Sequence, residues 1–539
     1  MVTDTLLVEI GTEELPPKTL NLLRLSLATE MRKQLKNVEL SYSSLICHAT
    51  PRRLAIVVEN LAERQLEQLI ERKGPAVKAA YDDKGEPSKA LKGFMRSCGI
   101  EDPSKLGTLK NVKGEWLVYR AKNSGATLSE LLPELLENAL GDLPIERRMR
   151  WGLSRDEFVR PVKWLVSLYG QDELPIRLFG RESSRFSRGH RFMSDGEFEL
   201  ASADVYLETC RENYVKADFE ERRRDIIQSI EVIAHADKSE VDFDPDLLDE
   251  VTALVEWPVA LTGGFDEAFL RVPSEVLISA MKEHQRYFHL TKDGFLQPTF
   301  ITITNIESSN PSLVVSGNER VIRPRLADAA FFYKNDTKIT LEENVERLGS
   351  VVFQSELGTY KDKANRISVL ASYIAKHLNA DKKTAGRSAL LAKADLVTDL
   401  VSEFPDLQGI MGSYYAINDG EDNEVAKGIR QQYLPNQSGG ALPEGPIACS
   451  VALADKIDTL TGLFGIDHPP TGSKDPYALR RQAIGVIRIC IENELNLNIS
   501  DCLNKSAELY GGGYETEGLR RYIIERLNSY YDDLGIGKD

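Results

Sequence analysis

The sequence predicts a multidomain protein, with an N-terminal α+β body followed by an all-α domain. Three observations carry this. The chain has 539 residues, too long for one hydrophobic core and enough for about two to four domains. As far as residue 335, short apolar or alternating runs are interspersed with amphipathic stretches. From 336 to 510, apolar residues recur almost throughout at helical spacing.

The first element reads as a strand, Leu6 to Ile10, that stops at Gly11 and turns sharply into a helix. Thr12 is placed as a possible N-cap, with Glu13 and Glu14 in the first turn and Pro16-Pro17 as punctuation. Thr50 to Val58 places Arg52 and Arg53 at the entrance to a β-branched apolar run. Lys73-Gly-Pro75 and Asp82 to Pro87 are turn signals. Lys89 to Cys98 reads as helix and Gly114 to Tyr119 as strand. Leu128, Leu131, Leu132, Leu135, Leu136 and Leu140 define an amphipathic helix over 127–142. Strand-like alternation surrounds Ser187 to Met193, a long charged helix is expected from Ser202 through Ala236, and Val255–Leu261 and Phe300–Asn305 return to strand.

Helices are then expected at Leu341–Leu348, Asn365–His377, Ala385–Val401, Val425–Gln432, Ala448–Gly462 and Tyr477–Glu494. Pro435 to Gly445 is an exposed loop by composition. The domain boundaries that follow are 1–335, 336–510 and a final segment at 511–539.

No run of about 18 apolar residues exists to span a membrane. The first residues show neither the basic region nor the apolar core of a signal peptide, so none is expected. The six cysteines are scattered without a C-x-x-C pair, which predicts a reduced, cytoplasmic setting and argues against a zinc knuckle. The net charge of −16 excludes a protein that coats nucleic acid with its whole surface. It leaves room for a local basic face. Arg and Lys bunch at Arg52-Arg53, Arg147 to Arg150, Arg185 to Arg191, Arg222 to Arg224, Arg320 to Arg325 and Arg480-Arg481. Each bunch alone reads as a solvated face; together they permit a large polyanionic partner.

The chain has no P-loop, no Gly-rich dinucleotide turn, no H-E-x-x-H helix and no G-x-S-x-G elbow. Neither class of aminoacyl-tRNA synthetase signature is convincing, so nothing reads as able to activate an amino acid with ATP. Three candidates remain. His190, within Arg188-Gly-His-Arg191, is a surface-loop histidine on the plain reading and a phosphate contact on the functional one. His284 and His289 are five apart, off the spacing that puts two ligands on one helical face. Asp395, Glu403, Gln408, Asp455 and Asp458 read first as a solvated or salt-bridged helix face.

Leu6-Leu-Val-Glu-Ile-Gly-Thr-Glu-Glu-Leu-Pro-Pro-Lys18 resembles, as a literal string, the opening of the β subunit of bacterial glycyl-tRNA synthetase. Arg147 to Gly152, Ser187 to Met193, Glu256-Trp-Pro258, Asn305-Ile-Glu307 and Gly317 to Asp328 resemble the same family. So do Lys393 to Thr398, Gln408 to Gly412, Ala454 to Thr459 and Gly472 to Arg481.

The resemblance implies an α2β2 assembly. In it the α subunit holds the class II site for glycine, with ATP and Mg2+, while the β subunit holds tRNA(Gly) and itself carries no cofactor and no catalytic residue. It also implies that the body is B3/B4-like, as in the phenylalanyl enzyme, and that the helical domain is HD-like. Active HD centres need a metal held by histidines and aspartates. Here only His377 and His468 are present in the helical half, and Asp467-His468 is in reversed order. Asp395, Asp455 and Asp458 are therefore expected to be the remains of a dead, metal-free site. Family members continue into a C-terminal anticodon-binding domain, before which this chain is expected to stop. Arg147, Arg148, Arg150, Arg188, His190, Arg191, Arg323, Arg325, Lys361, Arg480 and Arg481 are the tRNA-binding candidates. About half are expected to be structural, with internal pairing foremost at Arg323 and Arg325 beside Asp328. A deacylase and an active HD phosphohydrolase are the rival readings.

Overall fold

The computed structural model describes residues 2–81, 86–111, 114–123, 125–153, 155–437, 439–471, 474–533 and 535. Most of the turn expected at 82–87, and the start of the string at 472–481, lie outside them. The chain forms two units. One comprises Met1–Thr262, Arg286–Asp293 and Ile301–Val315; the other comprises Gly263–Gln285, Gly294–Phe300 and Ser316–Asp539.

The first unit mixes antiparallel sheets with helices. Its N-terminal elements are β1 (Thr3–Thr12), α1 (Pro17–Asn37), β2 (Ser44–Thr50) and β3 (Arg53–Ala62). A second group is β4 (Gln68–Ala76), α2 (Lys89–Ser97), β5 (Leu106–Asn111) and β6 (Gly114–Asn123), with strand order β4-β6-β5. Helix α3 (Leu128–Gly141) starts at a capping box between Thr127 and Glu130. Next come β7 (Val162–Tyr169), β8 (Asp172–Glu173), and the short pair β9 (Phe186–Arg188) and β10 (Glu197–Glu199).

The main sheet runs β8-β7-β1-β3-β2, every neighbour antiparallel. Strand β1 is central, and its side chains alternate between two buried faces. Leu6, Val8 and Ile10 join the core that includes Leu20, Leu23 and Leu27 of α1 and Leu132, Leu135 and Leu136 of α3. Leu7 joins the opposite core with Trp164, Val166 and Leu168 of β7.

Two expectations are corrected here. Thr12 is the last residue of β1, not a helix cap. Helix α1 begins at Pro17 with Pro16 at its N-cap, because proline at the first helical position sacrifices only an N–H that has no intrahelical partner. The long helix expected from Ser202 is two helices, α4 (Tyr206–Glu212) and α5 (Phe219–Asp237). Tyr214 takes a positive φ of 58° between them, and the Asp218 carboxylate caps α5 at the Glu221 N–H. Helix α6 (Pro245–Leu254) packs with α5 through Leu247, Leu248, Ile226 and Ile230.

The second unit is largely helical. Helix α7 (Pro311–Asp336) is not anticipated by the sequence pattern, since it carries Pro324 in its interior. The series continues with α8 (Tyr360–His377), α9 (Lys382–Leu391), α10 (Ile410–Asn418), α11 (Asn423–Gln431), α12 (Pro446–Gly465), α13 (Leu479–Glu492), α14 (Ile499–Leu509) and α15 (Glu517–Asp533). The single helix expected over Ala385–Val401 ends at Leu391, and a 3-10 turn, Ala394–Val397, follows it. Helix α12 is the axis of this unit. Every residue from Ile447 to Leu463 is buried, the signature of a helix surrounded on all sides.

Candidate functional site

The chemistry-bearing side chains of the helical unit converge on a cavity of about 780 Å³. Helix α12 supplies Asp455, Lys456 and Thr459, α8 supplies Lys363, and Lys393 follows α9. Lys393 Nζ lies 2.9 Å from Asp455 Oδ2, and Lys363 Nζ lies 3.0 Å from Asp455 Oδ1 and 3.2 Å from Asp458 Oδ2. Arg366 Nε reaches Asp458 Oδ1 at 2.8 Å. Lys363 also donates to Thr459 Oγ1 at 2.7 Å. Burial alone would raise the Asp455 carboxyl. Lys363 and Lys393 more than reverse that and hold it below the usual carboxylate range. Burial pushes Lys456 down to about 8, while its ammonium donates to Leu434 O at 2.7 Å and Gln432 O at 3.3 Å.

The carboxylates that might hold a metal are thus occupied by ammonium and guanidinium groups. No histidine lines the cavity. Among the described residues, no cluster of three or more His, Cys, Asp or Glu suits a metal ion.

Asp395 is not among the residues that line the cavity. It is fully buried in the Ala394–Val397 turn, where Oδ2 accepts from Gly409 N at 2.6 Å and Gly412 N at 3.0 Å. Burial raises its pKa to about 6, against the lowering pull of those amides. Its role here is to tie two backbone segments together.

A second polar assembly lies within the body. Glu9, the one charge in the apolar run of β1, is fully buried. It accepts from Trp164 Nε1 at 2.5 Å, Ser187 Oγ at 2.5 Å, Tyr206 OH at 2.6 Å and Arg53 Nη1 at 3.4 Å. Glu256 accepts from Arg52 Nη2 at 2.5 Å, Thr50 Oγ1 at 2.8 Å and Arg53 Nη2 at 3.3 Å. Burial pushes Glu256 up, and the two arginines bring it below its ordinary value. Asn305 Oδ1 accepts from Glu256 N at 2.7 Å and Trp257 N at 3.0 Å. Arg52 and Arg53, expected on a solvated face, are therefore interior ligands of carboxylates. Arg222 is likewise fully buried and donates to Ala49 O at 2.6 Å.

The expected binding residues divide. Arg147, Arg323 and Arg325 are exposed, and among the described residues they make no ion pair. The pairing expected of Arg323 and Arg325 with Asp328 does not form; all three are exposed on α7. Arg148 donates to Gly141 O at 2.9 Å, and Arg150 pairs with Glu157. Arg188 pairs with Glu197 at 2.9 Å, Arg191 with Glu14 at 2.7 Å and Lys361 with Glu346 at 2.6 Å. Arg481 lines the helical cavity and donates to Asn436 O at 3.3 Å. Arg480 is half-buried, its N–H on Asp475. His190 is 1% exposed, so it is no surface-loop residue.

Sequence reasoning missed Lys363, Lys393, Lys456, Arg366 and the Glu9–Arg53–Glu256 assembly. The available signal was a charge inside an otherwise apolar run, as at Glu9 and at Asp455-Lys456.

A family model described as "Glycyl-tRNA synthetase beta subunit" matches residues 6–539. Similar proteins carry the name glycine–tRNA ligase beta subunit. The one from Chromohalobacter salexigens is 49% identical over 99% of this chain and 78% of its own length. Those of Colwellia psychrerythraea and Proteus mirabilis are 47% and 45% identical, each over 100% of this chain and 79% of its own length.

Proposed function

The chain belongs to the glycyl-tRNA synthetase β-subunit family, and from that premise we propose that it holds and positions tRNA(Gly) while a partner α subunit performs the chemistry. It is a subunit of glycine–tRNA ligase, an aminoacyl-tRNA synthetase. ATP, Mg2+ and glycine bind at the class II site of the α subunit within an α2β2 assembly in the cytoplasm. Among the described residues, no helix is long and apolar enough to cross a membrane.

The observation that carries the tRNA reading is on α7. Arg320, Arg323 and Arg325 are exposed there and make no ion pair among the described residues, in a protein whose net charge is −16. Arg320 and Arg323 are three apart and share a helical face. Guanidinium groups left without carboxylates in so acidic a chain are free to meet phosphates, which positions an RNA without reading its bases. Arg147, Arg148 and Arg481 are further candidates, exposed and without an ion pair among the described residues.

In this reading the body is B3/B4-like, spanning 1–335, and the helical domain over 336–510 is HD-like. The helical cavity serves binding rather than hydrolysis, because lysines hold the aspartates that a hydrolytic metal would need.

The test is aminoacylation by the reconstituted α and β subunits with Arg320, Arg323 and Arg325 changed to Glu. The KM for tRNA should rise, and the slope of log affinity against log salt should flatten by about 0.7–0.9 for each phosphate that the altered side chains no longer neutralise. An unchanged KM and slope would remove α7 from the tRNA path.

A further inference from the structure

The group formed by β4, α2, β5 and β6 differs in charge from the rest of the chain. Residues 68–123 carry twelve Lys and Arg against seven Asp and Glu, a net charge of +5 within a total of −16. The group also has a hydrophobic core of its own, built from Ala80, Leu91, Met95, Ile100 and Leu117. A small fold that is basic while the remainder is acidic concentrates its positive potential in one place.

Helix α2 gives that charge a direction. The Ser88 hydroxyl caps it by accepting from Leu91 N at 3.2 Å. Leu91 and Met95 are its buried side. Lys89, Lys92 and Arg96 recur at i, i+3 and i+7 on the opposite side, a stripe about 10 Å long. All three are exposed and make no ion pair among the described residues. Arg72 of β4 joins the end of the stripe, since its Nη1 donates to Ser97 O at 2.9 Å. Arg72 too is exposed and has no carboxylate partner among the described residues. In the same group, Arg120 pairs with Glu71 at 2.8 Å, so carboxylates are within reach of some of its cations and not of these.

Two choices in this helix do not serve its own stability. Lys89 opens it, with no acidic residue in the first turn, where the positive end of the helix dipole disfavours a cation. Gly93 lies in its interior, within the basic stripe. Nothing stands within 4 Å of the place its Cβ would take, so no packing inside the chain requires glycine there. It costs the helix about 1 kcal/mol relative to alanine, and it leaves the surface between the cations low enough for a backbone to approach.

We propose that this face of α2, with Lys89, Lys92, Arg96 and Arg72, docks the phosphate backbone of tRNA(Gly). It rests on the reading that the chain holds tRNA, and it does not depend on α7. Unpaired cations on a helix face meet phosphates as point charges and leave the bases unread.

Fluorescence anisotropy with labelled tRNA(Gly) and the reconstituted α and β subunits tests it. Lys89→Glu, Lys92→Glu and Arg96→Glu combined should raise the Kd about tenfold at low salt and flatten the slope of log affinity against log salt by about 2. The same three residues changed to Gln should give a smaller loss of the same kind. A tRNA of another specificity should lose as much, because phosphates carry no sequence. An unchanged melting curve and unchanged assembly with the α subunit confirm that the variants differ only at this surface. Unchanged Kd and slope in the assembled variants would overturn the docking face and leave the tRNA reading standing. A loss confined to tRNA(Gly) would overturn the phosphate assignment. Loss of assembly would overturn the proposal and assign the face to the α subunit. Failure of the unaltered assembly to bind tRNA(Gly) would overturn both readings.

Discussion

Lys393 Nζ sits 2.9 Å from Asp455 Oδ2 and 4.0 Å above the ring of Tyr433. With Lys363 Nζ 3.0 Å from the other carboxylate oxygen, Asp455 is flanked by two fixed cations, which repel a mobile one. Added Mn2+ should therefore leave the melting temperature of the chain unchanged. Changing Lys393→Met should cost about 3 kcal/mol in urea denaturation, as removing one partner of a buried pair does. A rise of several degrees with Mn2+ would contradict the assignment.

Asp395 gives a pH signature of the opposite sign from an ion-paired acid. Its pKa in the folded chain is raised to about 6, above the unfolded value of about 3.9. Between these values the folded state holds more protons, so this group makes stability fall as pH rises. The penalty is complete above pH 6 and amounts to about 3 kcal/mol. Asp395→Asn keeps an oxygen for the Gly409 and Gly412 amides and removes the charge. The variant should gain stability over the parent between pH 4 and 7, read as the difference of two urea titrations. A constant difference across that range would refute the assignment.

Gly11 lies against the indole of Trp164, and a Cβ there would overlap the ring. Gly11→Val should displace Trp164, break its bond to Glu9 and destabilise the chain by about 1–3 kcal/mol. Trp164→Phe should cost a similar amount by removing one donor from a buried carboxylate. Denaturant midpoints at or above the parental value would show that the Glu9 assembly does not depend on this packing.

Reversal of Arg480 and Arg481 to Glu tests the part of the proposed RNA surface that lies beside the helical cavity. The KM for tRNA should rise and the salt dependence of binding should weaken, with less effect at Arg480, whose side chain is half-buried. Unchanged tRNA kinetics would confine the RNA contacts to other residues.

The elements are legible where a local period decides them. The leucines of α3 and the apolar run of β1 specify their own geometry. Helix α7 is hidden because Pro324 and a mixed polar pattern mask its period, although residues on either side still bury Ile322, Leu326 and Ala329. Thr12 resembles a cap because Gly-Thr-Glu-Glu fits that pattern; the sheet pairing of β1 with Val162 and the start at Pro17 override it. The polar assemblies are illegible for another reason. Arg53 lies 44 residues from Glu9 and 203 from Glu256, and no local pattern encodes contacts at such separations. The exposed arginines are visible as bunches, but only tertiary contacts separate Arg323, without an ion partner among the described residues, from Arg53, buried between carboxylates.

The central claim is a division of labour between subunits, and the direct measurement is glycylation of tRNA(Gly) by this chain with and without purified α subunit. The account predicts activity only in the mixture. Glycyl-tRNA formed by this chain alone, or undiminished glycylation by the α subunit without it, would contradict the account.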